Sequence, residues 1–181
     1  MTDIDIVFAI GASGSHGNEM FEKEKEFVTG FIDASRYGNV EYGLLEYRNK
    51  VKVHMKFKDF DEKEKVKEKV LSLQRSGDAT SIVEGLRMAD ELFTKDGRAR
   101  AHKVLVVMLN GPVGGRAGEL RTGAKSLQNK GVKIITVAIG DDVEQEELRH
   151  LSSDEENIIQ AKCNEDVASV AYVMSHQAVK G

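Results

Sequence analysis

Hydrophobic and polar positions in this chain follow two alternating periods, short continuous apolar runs and longer stretches in which apolar residues recur every three or four positions. Ile4 to Ile10 is an unbroken β-branched and aromatic run, the pattern of a strand buried on both faces, and it predicts a central strand. Asn18 to Ser35 predicts a helix, with Phe21, Phe27, Val28, Phe31 and Ile32 on one side and alternating Glu and Lys on the other. Glu24 falls near the apolar stripe and breaks its regularity. Val40 to Tyr47 and Val51 to Phe57 flank Arg48-Asn49-Lys50, which predicts an antiparallel hairpin at a sheet edge, with Lys52, Lys56 and Lys58 discouraging further pairing.

The alternation continues to the end of the chain. Asp61 to Gln74 predicts a helix with a narrow stripe of Val66, Val70 and Leu73, and its charges read as a solvated face. Thr80 to Phe93 predicts another, with Ile82, Val83, Leu86, Ala89, Leu92 and Phe93 toward the core. Lys103 to Leu109 and Val132 to Ile139 are inner strands, separated by a helix over Arg116 to Lys130 that Gly131 ends. A short helix (Glu144 to Leu151), an edge strand (Asn157 to Ala161) and a last helix (Asp166 to Gln177) follow. The implied fold class is α/β: a doubly wound, mostly parallel central sheet with one antiparallel edge strand and helices on both faces.

With 181 residues and neither repeats nor linkers, a single domain over 1–181 is expected. No run approaches the ~18 apolar residues of a membrane span, so no membrane insertion is expected. A net charge of −4 supplies no general attraction to phosphate backbones, which disfavours nucleic acid as a partner. Cys163 is the only cysteine, so no internal disulfide can form and the redox compartment stays open. No signal-peptide pattern precedes Asp3, as would also hold for a module excised from a longer protein.

In an open α/β sheet, ligands bind beyond the carboxyl ends of the parallel strands. Three loops should meet there: Gly11 to Gly17, Gly77 to Thr80 and Asn110 to Gly115. They bring Ser13, Ser15, Thr80 and Asn110, residue types that also cap helices and close turns. The two serines after a buried strand look like half of a divalent-cation site. Where an acid would complete it, Gly11 stands in the first loop and an amide, Asn110, in the third.

From Asp3 to Ala178 the sequence resembles a von Willebrand factor type A domain, or I domain. The resemblance is carried by the strand DIVFAI, the loop Ala12-Ser13-Gly14-Ser15, the phrase Thr80-Ser81-Ile82-Val83-Glu84-Gly85-Leu86, KVLVVMLNG, and VKIITVAIGDD. The ending Glu146-Glu147-Leu148-Arg149-His150-Leu151, with Glu156-Asn157-Ile158, fits as well. The family pattern for a metal-ion-dependent adhesion site is Asp-x-Ser-x-Ser, then a Thr, then an Asp after a later strand. Ser13, Ser15 and Thr80 match it, while Gly11 and Asn110 replace both acids. Magnesium prefers anionic oxygen and gives up its water reluctantly, so the resemblance implies a degenerate site with no metal and no cofactor. Asp78 is the nearby carboxylate that could rescue one.

The phrasing is most similar to the A modules of collagen VI-type chains and matrilins. That implies a secreted, extracellular-matrix or cell-adhesion module of a longer protein, without enzymatic activity, that binds matrix proteins such as collagen or neighbouring A modules. Gly11, Ser13, Ser15, Thr80 and Asn110 would be its ligand-binding residues. With the metal chemistry removed, coupling of ligand binding to a shift of the last helix has no obvious source.

Two other classes fit less well. A dinucleotide-binding oxidoreductase would use the glycine loop, but Gly11, Gly14 and Gly17 are not spaced G-x-G-x-x-G. Tyr37, Tyr42, Tyr47 and Tyr172 are followed four positions on by Glu41, Glu46, Val51 and His176, so the Tyr-x-x-x-Lys pair of short-chain dehydrogenases is absent. A hydrolase would need a Ser-His pair with an orienting acid, and of the five histidines only His16 lies near Ser13 and Ser15.

Overall fold

The structure, a computed structural model, describes residues 3–11, 17–35, 39–47, 50–75, 82–111, 115–141, 143–152, 154–161 and 176. Among these residues six strands form one sheet: β1 (Asp3–Ile10), β2 (Asn39–Glu46), β3 (Lys52–Met55), β4 (His102–Leu109), β5 (Val132–Ile139) and β6 (Ile158–Ala161), in the order β3-β2-β1-β4-β5-β6. β1 pairs in parallel with β2 on one side and β4 on the other, which makes it central as its apolar run requires. β4 with β5 and β5 with β6 are also parallel, and β3 is the antiparallel edge.

Helices α1 (Gly17–Ala34) and α2 (Lys63–Ser72) cover one face, and α3 (Ile82–Asp96), α4 (Ala117–Asn129) and the short α5 (Gln145–Arg149) cover the other. The two-residue period of β1 divides its side chains between them. Ile4, Ile6, Phe8 and Ile10 pack with Phe21, Phe27, Val28, Phe31 and Ile32 of α1, whereas Val7 and Ala9 face Ile82, Leu86 and Ala89 of α3 and Leu120 and Ala124 of α4. The Phe8 ring meets Phe31 edge-on at 5.3 Å and stacks with Tyr42 at 6.3 Å, which joins β1, α1 and β2.

Element ends depart from the sequence pattern where local bonding intervenes. β3 stops at Met55 instead of Phe57, because the Lys56 N–H donates to Asp59 Oδ2 at 2.8 Å and turns the chain, with Lys58 at φ 72°. α3 runs on to Asp96, supported by the Lys95–Glu91 pair at 2.5 Å, and Gly97 closes it by donating to the Phe93 carbonyl at 3.1 Å. Val83, expected in the core, is half-buried at its edge. Gly131 ends α4 as expected, at φ 85° and with its N–H on the Gln128 carbonyl. The expected helix over 166–177 and Cys163 lie outside the described residues, apart from His176, which is helical.

Two polar clamps fix elements that apolar packing alone would leave free to slide. Lys25 is buried on α1, and its Nζ donates to the carbonyls of Leu71 and Leu73, at 3.2 and 2.8 Å, where α2 ends. At the amino ends of the strands, Arg98 in the α3–β4 connection donates through Nε to Asp5 Oδ1 at 2.8 Å. Its own N–H donates to Asp5 Oδ2 at 2.7 Å, and Nη2 reaches the carbonyls of Ile4 and Asn39. Asp5 is fully buried, so this pairing satisfies a charge that would otherwise be costly.

Candidate functional site

β1, β4 and β5 end side by side because their registers match, so the loops that follow them open on one edge of the sheet. Gly11 follows β1, Tyr47 follows β2 and Asn110 follows β4. The structure brings Gly11 and Asn110 together: Asn110 Nδ2 lies 3.4 Å from the Gly11 carbonyl oxygen. Ser13, Ser15, Thr80 and Asp78 lie outside the described residues, as does His16.

Gly11 is a glycine for steric reasons. A Cβ there would stand 2.8 Å from Tyr47 Cε2 and 2.8 Å from the Tyr47 carbonyl oxygen, one of them a backbone atom that cannot swing aside. Tyr47 is held in that place at both ends. Its N–H donates to the Ile10 carbonyl at 3.0 Å, extending the β1–β2 pairing, and its hydroxyl donates to the Met108 carbonyl of β4. Burial pushes the Tyr47 hydroxyl well above its usual titration range, and the nearby Glu24 carboxyl pushes it in the same direction.

Under this pair sits Glu24, from the core-facing side of α1 and with no exposed surface. Its Oε2 accepts the Gly11 N–H at 3.1 Å, and its Oε1 lies 3.5 Å from Asn110 Nδ2, a longer and weaker contact. Burial holds the Glu24 carboxyl well above the ordinary carboxylate range; the Gly11 N–H pulls it down, and the Glu46 carboxyl adds to the rise. Glu46, also buried, lies 3.0 Å from His54 Nε2 of β3. Sequence reasoning placed Gly11 and Asn110 at the crown but missed Glu24 and Tyr47. The signal for Glu24 was the acid interrupting an apolar stripe, whereas nothing local marks Tyr47, a buried aromatic at a strand end.

The model of the von Willebrand factor type A domain matches residues 5–171. The chain belongs to this family. The mouse collagen alpha-4(VI) chain is 25% identical over 170 residues, covering 92% of this chain and 7% of its own length. Mouse matrilin-2 is 30% identical over 159 residues, covering 83% of this chain and 16% of its own. The chain therefore spans a small part of these relatives. Among solved structures, proximal thread matrix protein 1 of the mussel byssus superposes with a TM-score of 0.84 over 98% of this chain and 46% of its own, at 18% identity. At that identity the likeness speaks for the fold, and this type A domain shares its α/β sheet.

Proposed function

We propose that this type A domain is a non-enzymatic protein-interaction module of an extracellular-matrix or cell-adhesion protein, and that it engages matrix ligands such as collagen without a metal ion. The relatives named above, a collagen VI chain and a matrilin, support the matrix assignment and a module folded over 1–181 within a longer secreted protein. The docking face is the edge where the loops after β1 and β4 open, with Gly11, Ser13, Ser15, Thr80 and Asn110 as its residues.

The observation that carries metal independence is the filling of the space beside Gly11. A magnesium ion requires near-octahedral oxygen donors and favours carboxylates. Gly11 offers no side chain, Tyr47 occupies the volume one would need, and the Asn110 amide nitrogen is turned toward the Gly11 carbonyl and Glu24. These residues do not fit the ion. What remains among the described residues is the uncharged pair Gly11 and Asn110 above the buried Glu24, suited to contacts by hydrogen bonding and shape.

The test is surface-captured collagen VI and collagen I, with the domain flowed over them in magnesium and then in chelator. Binding of equal strength in both buffers is expected. Binding abolished by chelator would overturn metal independence, and no binding to either collagen would overturn collagen as the ligand.

A further inference from the structure

A carboxyl on the core face of a helix is unfavourable unless bonded, and Glu24 stands where the stripe of Phe21, Phe27, Val28 and Phe31 calls for an apolar residue. Its surroundings show what it accomplishes there. β1 ends at Ile10, so the Gly11 N–H lies at the end of that strand and is buried; Glu24 Oε2 accepts it. The other oxygen faces the Asn110 amide after β4. One side chain from α1 thus touches the two positions, Gly11 and Asn110, where this family's pattern places acids around a cation. The Tyr47 hydroxyl makes the matching tie from the end of β2 to Met108 in β4.

We propose that the Glu24 carboxyl is a positioning group that takes the place of an ion: an internal, permanent crosslink that holds the ends of β1 and β4 against α1. A bound cation would join loops through shared oxygens from outside, whereas this carboxyl joins them from beneath by accepting their N–H groups. The crosslink keeps Gly11 and Asn110 in one arrangement whether or not divalent ions are present. The inference rests on the metal-independent reading above and deepens it.

Amide hydrogen exchange at Gly11 tests it, with Val106 of β4 and Val137 of β5 as internal references for opening of the core. In Glu24→Leu, Gly11 exchange is expected to accelerate about 10- to 100-fold relative to those references, the loss of one buried hydrogen bond to a carboxyl. In Glu24→Gln, a same-size change that keeps an acceptor, Gly11 protection stays within a few-fold of wild type. Gly11 also shows the largest amide shift change of any residue from 3 to 11, a readout that does not require the leucine variant to fold. Unchanged Gly11 protection in Glu24→Leu, or a Gly11 shift unmoved in Glu24→Gln, overturns the crosslink. Magnesium that slows Gly11 exchange in the wild type would overturn metal independence instead, so the two failures are read from separate arms.

Discussion

At the residue scale, the crown is decided by three side-chain positions, Gly11, Glu24 and Tyr47. Because a Cβ at Gly11 meets both the ring and the backbone of Tyr47, Gly11→Ala should destabilise the domain by about 1–3 kcal/mol, the usual cost of overpacking, measured by urea unfolding. Gly11→Asp restores the family's acid in name only. It should be at least as destabilised, with a midpoint that does not rise in magnesium; a midpoint restored by magnesium would show that the space can be reopened. Glu24 makes stability pH-dependent in a stated direction. Its folded-state titration is raised above the ordinary value of about 4.3, so the folded protein holds that proton more tightly than the unfolded chain. Its contribution is therefore fully present below about pH 4.3 and is lost as pH rises toward the folded-state value. The stability of wild type minus that of Glu24→Gln should fall as pH rises above about 4.3. The neighbouring Glu46 of β2, paired with His54 of β3, and Tyr47 are common to both proteins and largely cancel in the difference.

At the scale of elements, the sheet rests on apolar strands and the polar clamps rest on pairs that sequence spacing does not show. Arg98→Met should leave Asp5 buried without its guanidinium partner, although the Arg98 N–H remains on Asp5 Oδ2. The loss should fall near the lower end of the about 3–5 kcal/mol typical of a broken buried pair, since Arg98 is 16% exposed, and denaturant unfolding measures it. Asp5→Asn with Arg98→Met should recover part of that loss, because the fully buried charge at Asp5 is removed, while Glu41, 3.6 Å from Arg98 Nε, still loses its partner. The strands were legible in the sequence because a buried strand is a continuous apolar run, and β1, β4 and β5 match their runs to within a residue. The ends of β3 and α3 were less legible. The Asp59 turn and the Glu91–Lys95 pair decide them, and such local bonds compete with the hydrophobic period rather than follow it.

At the scale of the whole molecule, the meeting of Gly11 and Asn110 was legible from topology, since parallel strands with matched registers must open their carboxyl ends on one edge. The packing beneath those loops was not. Glu24 lies thirteen positions from Gly11 and Tyr47 lies sixty-one from Met108, and no local pattern joins such partners. A domain whose strand ends are tied by Glu24 and Tyr47 should bind its ligand with no dependence on divalent ions. Isothermal titration of magnesium, and separately manganese, into the chelator-stripped wild-type domain tests this most directly. The expected trace shows only heats of dilution through millimolar ion; a saturable isotherm with micromolar affinity would contradict strand ends tied by Glu24 and Tyr47 in place of an ion.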